Sequence, residues 1–135
     1  MLRKIHLVTG FVFLILFLAT GKYMQMNFPD IYQDSEVMRF MYRANHIYIL
    51  MAALMNLILG SYLVVSGKPR VKFVQYIASI ILIMATCLLF TAFWVEPARL
   101  SEERDFTFYG VVLMFGSVMF HIIAGLMLNT ARKTQ

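Results

Sequence analysis

The sequence predicts an all-α, polytopic membrane protein: an antiparallel bundle of four transmembrane helices with both termini in the cytoplasm. Of its 135 residues, 61% are hydrophobic and 14% are charged, against about 45–50% and about 25% in soluble domains. Four long apolar stretches contain no Asp, Glu, Lys or Arg. The basic residues between them are distributed unevenly, which predicts the orientation of the chain.

Each apolar stretch is long enough to cross a bilayer, which takes about 17 to 25 residues of helix. Strands of a membrane barrel would alternate apolar and polar residues over about ten positions, and these stretches do not. The connections are too short for a separate soluble domain. A single domain, residues 1–135, is therefore predicted, with spans at residues 5–21, 47–66, 73–95 and 106–128.

The first span also fits a secretory signal, since Met1 to Lys4 is basic and Ala19-Thr20-Gly21 offers small residues for cleavage. Its apolar stretch is long for a signal, which favours a transmembrane helix.

Charge predicts a bacterial-type inner membrane topology. The amino end, the connection between spans two and three and the carboxyl end contain basic residues without any acid, and the positive-inside rule places such segments in the cytoplasm. All seven acids lie in the other two connections, which are therefore external. The acid-free segments contain Arg3, Lys4, Lys68, Arg70, Lys72, Arg132 and Lys133.

The connection over residues 22–46 is the longest, and Phe28-Pro29-Asp30 interrupts it. Apolar residues at positions 37, 38, 41 and 42 form a helical stripe among charges, which predicts an interfacial helix leading into span two. Its simplest role is to anchor the chain at the outer interface.

Two histidines lie inside predicted spans, where an ionisable group indicates a functional site. His6 begins span one and His121 lies in span four, so both are assigned to the inner half of the bilayer. Each is followed four residues later by a glycine on the same helix face, Gly10 and Gly125.

This pattern has two interpretations. In the first, His6 and His121 together, or His121 alone, bind the iron of one haem b, and Gly10 and Gly125 make room for the macrocycle. In the second, the glycines permit close helix contact and the histidines form interhelical hydrogen bonds. Depth counted from the flanking cations places His121 roughly 11 Å deeper than His6 at about 1.5 Å per residue, which leaves open whether they share a site.

The outer side contains a second polar group, Arg43, His46 and Glu96. Arg43 and Glu96 are placed to form an interfacial ion pair or to orient a headgroup or quinone, or else simply mark the water boundary. A copper site is a further alternative, because Met24, Met26 and His46 supply thioether and imidazole ligands suited to Cu(I). Methionine is equally a flexible filler of apolar surfaces.

Arg3-Lys4-Ile5-His6, with Thr20-Gly21 at the end of the same span, resembles the first helix of small b-type cytochromes and PepSY-associated membrane proteins. The resemblance covers one span of four, and it implies His6 as a candidate haem ligand. With three histidines in the chain, at most one bis-histidine haem can be built.

The sequence thus predicts a small membrane protein that binds haem b for electron transfer with a quinone or a partner protein. The alternatives are a non-enzymatic accessory or assembly subunit of a larger complex, docking through small-residue faces that include Gly110 and Gly116, and a copper-binding protein. Self-association or a larger membrane complex is expected, and nucleic acid is not. Phosphate loops, zinc protease motifs and serine hydrolase motifs are absent from the sequence.

Overall fold

A computed structural model of the chain describes residues 1–30, 32, 34–99 and 103–133, with side chains described as far as residue 127. The described residues form four helices: α1 (Leu2–Asn27), α2 (Glu36–Tyr62), α3 (Pro69–Arg99) and α4 (Asp105–Lys133). Each of the four is long and apolar enough to cross a membrane. This confirms the prediction of an all-helical chain with four helices long and apolar enough to cross a membrane.

The predicted interfacial helix is the first part of α2. This helix begins at Glu36 and continues to Tyr62 without a break at residue 46, since it contains no proline and its one glycine, Gly60, lies in the last turn. Ser35 caps its start by accepting a hydrogen bond from the Met38 backbone N–H at 3.4 Å, which satisfies one of the unpaired donors of the first turn.

The predicted end of span two at residue 66 is four residues too late, because α2 ends at Tyr62. Two neighbouring helices satisfy the backbone there. Arg3 of α1 donates to the carbonyls of Gly60 at 3.2 Å and Ser61 at 2.8 Å. Gln75 of α3 donates to the Val64 carbonyl and accepts from the Ser66 N–H, both at 2.8 Å. The non-helical backbone after Tyr62 is thus paired with other groups of the protein.

Consecutive helices pack against one another, whereas no Cα atom of α1 lies within 8 Å of a Cα atom of α4 among the described residues. Close packing of α1 on α2 depends on two glycines. A Cβ atom at Gly10 would lie 2.7 Å from Leu57 Cγ, and one at Gly60 would lie 2.6 Å from Leu7 Cγ. Gly10 therefore faces Leu57 of α2.

Two apolar clusters form the interior. An aliphatic cluster joins α2, α3 and α4 through Ala52, Leu82, Ala85, Leu89 and Met114. An aromatic cluster joins α1, α2 and α3, and centres on Met24, Tyr42, Ile49 and Phe93. Many of the buried polar side chains belong to two hydrogen-bonded layers, one containing His6 and the other containing Glu96.

Candidate functional site

His6 of α1 and His121 of α4 lie side by side. Their ring centroids are 6.1 Å apart and the rings meet edge to face at 77°. Ser79 of α3 lies between them, with its hydroxyl oxygen 2.8 Å from His6 Nε2 and 3.3 Å from His121 Nε2. The two histidines therefore belong to one site.

The hydrogen bonds continue from His6 into α2 and back to α3. His6 Nδ1 lies 2.8 Å from the side-chain oxygen of Asn56. The Asn56 amide nitrogen donates to the Ala52 carbonyl at 2.9 Å and to the Thr86 hydroxyl at 3.0 Å. Thr86 in turn donates to the Leu82 carbonyl at 2.8 Å. One polar chain thus contains side chains from all four helices.

The direction of each hydrogen bond in this chain follows from Thr86, because the Thr86 hydroxyl donates its proton to the Leu82 carbonyl. The single proton of the Thr86 hydroxyl goes to a carbonyl, so Thr86 accepts from the Asn56 amide, and the Asn56 carbonyl oxygen faces His6. His6 then donates from Nδ1 and, as a neutral imidazole, accepts at Nε2 from Ser79. Ser79 accepts from the Nε2–H of His121. This assignment leaves His121 Nδ1 with an acceptor lone pair.

His121 Nδ1 is buried and has no hydrogen-bond partner among the described residues, and the His121 side chain is 8% exposed. An unpaired buried polar atom costs about 1–3 kcal/mol. His121 also lines a cavity of about 530 Å³ between α2 and α4. The walls of this cavity are mainly apolar, and include Ile58, Leu59, Leu63, Val118, Ile122 and Gly125.

The arrangement does not fit a haem held by both histidines. Bonds from a transition metal to an imidazole nitrogen are about 2.0–2.1 Å long, so an iron bound by both Nε2 atoms would occupy the position of the Ser79 hydroxyl. Both nitrogens of His6 are engaged in hydrogen bonds. Leu57 fills the space that Gly10 was expected to leave for a macrocycle. Within the described part of the chain, no group of three or more His, Cys, Asp or Glu side chains is placed to bind a metal ion.

The second polar layer centres on Glu96 of α3, which is 1% exposed. One carboxylate oxygen accepts from the backbone N–H of Thr107 at 2.7 Å, and so satisfies a donor in the first turn of α4. The other oxygen accepts from the Thr107 hydroxyl at 2.6 Å and the Asn45 amide at 3.1 Å, and it lies 3.5 Å from Arg104 Nε. Glu96 thus joins α2, α3 and the start of α4, and its ion pair is with Arg104 in place of the expected Arg43.

The structure does not bring Arg43, His46 and Glu96 into one cluster. The Arg43 guanidinium lies 5.7 Å from the centre of the Phe28 ring. The His46 ring stacks on Phe17 at 4.0 Å, and its Nδ1 lies 2.9 Å from the Thr20 hydroxyl.

The candidate copper ligands are dispersed in the same way. Met24 packs in the aromatic cluster, the Met26 side chain is 63% exposed, and the Nδ1 of His46 is already engaged with Thr20. No described contact groups the three side chains as ligands of one ion.

Sequence analysis missed Ser79, Thr86, Arg104 and Thr107. A signal for the first two was available, because Gln75, Ser79 and Thr86 recur at spacings of four and seven and so share one face of a helix. Polar residues on one face of an otherwise apolar span indicate a helix contact that contains hydrogen bonds.

Comparison of the chain with protein-family models, with curated proteins and with solved structures gives no match in any of the three. Its helices define it as a protein with four candidate membrane spans, and the geometry of the two polar layers is what bears on its function.

Proposed function

We propose that this chain is an inner-membrane protein that binds a largely apolar molecule with a hydroxyl donor, such as a quinol, in the cavity beside His121. The proposal depends on two observations: His121 lines that cavity, and its Nδ1 is buried without a hydrogen-bond partner among the described residues. An apolar cavity with one oriented polar group is typical of a site for a hydrophobic ligand with one hydrogen-bonding substituent.

The polar chain supports the proposal because it fixes the imidazole of His121. Ser79 holds Nε2, so the ring presents Nδ1 as an acceptor, and a ligand hydroxyl would satisfy it. A quinone, which has no hydroxyl, offers no such donor. We therefore expect the reduced, hydroxyl-bearing form to bind more tightly than the oxidised form.

A ligand would enter from the lipid, because Ile58 and Ile122 at the cavity wall are 52% and 49% exposed on the outer surface of the bundle. The proposed topology has antiparallel helices and cytoplasmic termini. Contacts between opposite ends of α1 and α2 support the antiparallel part, since His6 contacts Asn56 and Thr20 contacts His46. In this topology the cavity lies in the inner half of the membrane.

The experiment is calorimetric titration of the purified protein in detergent, under reducing conditions, with a short-chain benzoquinol and with its dimethyl ether. The two compounds differ in their hydroxyl donors. We expect the quinol to bind at least about tenfold more tightly, and His121→Phe to abolish this preference, as the loss of one buried hydrogen bond predicts.

His46→Phe is the matched control, because His46 lies in the other part of the bundle and its Nδ1 contacts Thr20. This variant should retain the preference for the quinol. Equal affinity of the unchanged protein for the quinol and its ether would overturn the proposal.

A further inference from the structure

The amino-terminal turns of α2 lie at the depth of lipid head groups. With 27 residues at about 1.5 Å each, α2 is about 40 Å long, whereas the hydrocarbon core of a bilayer is about 30 Å thick. The charged residues of α2 are Glu36, Arg39 and Arg43, all near its start. This end of the helix therefore extends beyond the hydrocarbon.

Arg39 and Arg43 are held together at this end. Each guanidinium lies 5.7 Å from the centre of the same Phe28 ring, and a spacing of four residues places both on one helix face. Like charges at this spacing destabilise a helix. Neither arginine forms an ion pair with an acid within the described ranges, and Arg39 Nε is buried there without a hydrogen-bond partner. Arg39 thus presents an unsatisfied donor, and no described ion pair neutralises the charge of either arginine.

A carboxylate lies next to this pair. Glu36, Arg39, Phe40 and Arg43 line one cavity of about 300 Å³, which equals the liquid volume of roughly ten water molecules at about 30 Å³ each. The cavity therefore presents two positive charges and one negative charge. Phe40, at its edge, is 65% exposed and offers an apolar surface to lipid.

We propose that this cavity binds the head group of an ethanolamine phospholipid. Its phosphate would accept hydrogen bonds from Arg39 and Arg43, for which the planar guanidinium is well suited. Its ammonium group would donate to Glu36. A glycerol head group offers no cation to Glu36, and a choline head group offers a cation without N–H donors. The charges of the cavity thus favour ethanolamine, and this site is independent of the cavity at His121.

Native mass spectrometry of the detergent-solubilised protein tests the assignment, because it resolves individual bound lipids. The protein is titrated with phosphatidylethanolamine, phosphatidylglycerol and phosphatidylcholine of equal chain length, and with soluble phosphoethanolamine. We expect the ethanolamine lipid to bind at least about fivefold more tightly than the other two, the size of effect that one charge-assisted hydrogen bond gives. Soluble phosphoethanolamine should not displace it at equal concentration, because it lacks acyl chains.

Three variants test which residues cause the preference for the ethanolamine lipid. Glu36→Gln should remove the preference for ethanolamine over glycerol while leaving the phosphate contacts. The double change Arg39→Gln and Arg43→Gln should weaken both lipids about tenfold or more. The double change Arg70→Gln and Lys72→Gln removes the same charge from the start of α3, and should leave both affinities unchanged. The proposal is overturned by equal affinity for the three lipids, by an unchanged preference in Glu36→Gln, or by displacement with soluble phosphoethanolamine.

Discussion

The imidazole rings of His6 and His121 meet edge to face at 6.1 Å, although the described Cα atoms of their helices stay more than 8 Å apart. Side chains alone therefore join α1 to α4, and Ser79 of the intervening helix α3 is the link between the two Nε2 atoms. The position of this hydroxyl accounts for the poor fit of a haem between the two rings, whereas the hydrogen bonds from Thr86 through Asn56 determine the tautomers.

Ser79→Ala should lower the free energy of unfolding by about 1–3 kcal/mol, because the Nε2 atoms of His6 and His121 would both lose a partner while remaining buried. Ser117→Ala is the matched control, since Ser117 is buried in the adjacent helix and makes one hydrogen bond, to the Ala78 carbonyl at 2.7 Å. Thermal or denaturant unfolding in detergent compares the two variants. An equal loss in both would show that the Ser79 bridge contributes no more than an ordinary buried hydroxyl.

Purified protein expressed with ample haem should show no stoichiometric spectrum of a haem held by two histidines. An iron between the histidines would require the Ser79 hydroxyl to leave its position. The measurement is the visible spectrum of oxidised and dithionite-reduced protein, with a pyridine haemochrome assay. A stoichiometric haem that is lost in both His6→Ala and His121→Ala would contradict the hydrogen-bonded arrangement.

Glu96→Gln should destabilise the protein by about 2–3 kcal/mol. The change removes the negative charge that faces Arg104, and it places an amide donor among the donors of Asn45 and Thr107. We expect a smaller loss of stability than in a fully buried ion pair, because the Arg104 side chain is 25% exposed. Glu103→Gln, at an exposed position close by, should leave the unfolding free energy unchanged within about 0.5 kcal/mol. A double-mutant cycle with Arg104→Gln measures the coupling, and a coupling near zero would refute the role of this pair.

Gly10→Ala should destabilise the protein by about 1–3 kcal/mol, as overpacking does. The added Cβ would lie 2.9 Å from the backbone nitrogen of Leu57, which no change of side-chain rotamer relieves. Gly116→Ala meets no atom within 4 Å among the described residues, and alanine favours a helix over glycine by about 1 kcal/mol. Unfolding measurements should therefore show opposite signs for the two changes. A neutral Gly10→Ala would mean that α1 and α2 are packed less closely than described.

The site at His6 and His121 was predictable in part from the sequence. The rarity of ionisable groups in apolar spans identified His6 and His121 from sequence, but counting residues from the nearest cations placed them at different depths. The count from Arg3 took no account of how α1 packs on α2. The Arg3 guanidinium caps the carbonyls of Gly60 and Ser61 at the end of α2. Only the packing of α1 on α2 determines this contact.

The polar layer at Glu96 was less predictable from the sequence. Glu96 was identified, but its partner was not, because Arg43 and Arg104 both lie near predicted span ends and composition does not distinguish them. The relative position of α3 and α4 determines that Arg104 is the partner, since it places Thr107 and Arg104 beside the Glu96 carboxylate. The Arg43 guanidinium lies instead over the ring of Phe28. Pair contacts of this kind follow from tertiary packing, and a single sequence does not specify them.

The polar chain from His121 to Thr86 also has a consequence for biogenesis. Because it takes side chains from every helix, the first two helices to enter the bilayer would place His6 and Asn56 in the interior without Ser79 and Thr86 as partners. Unpaired polar groups in hydrocarbon are costly, so the early half of the chain is an unstable intermediate until the later helices arrive. The smallest unit that folds in the membrane is then the complete set of four helices, and a nascent chain arrested after α2 is a natural substrate for membrane quality control.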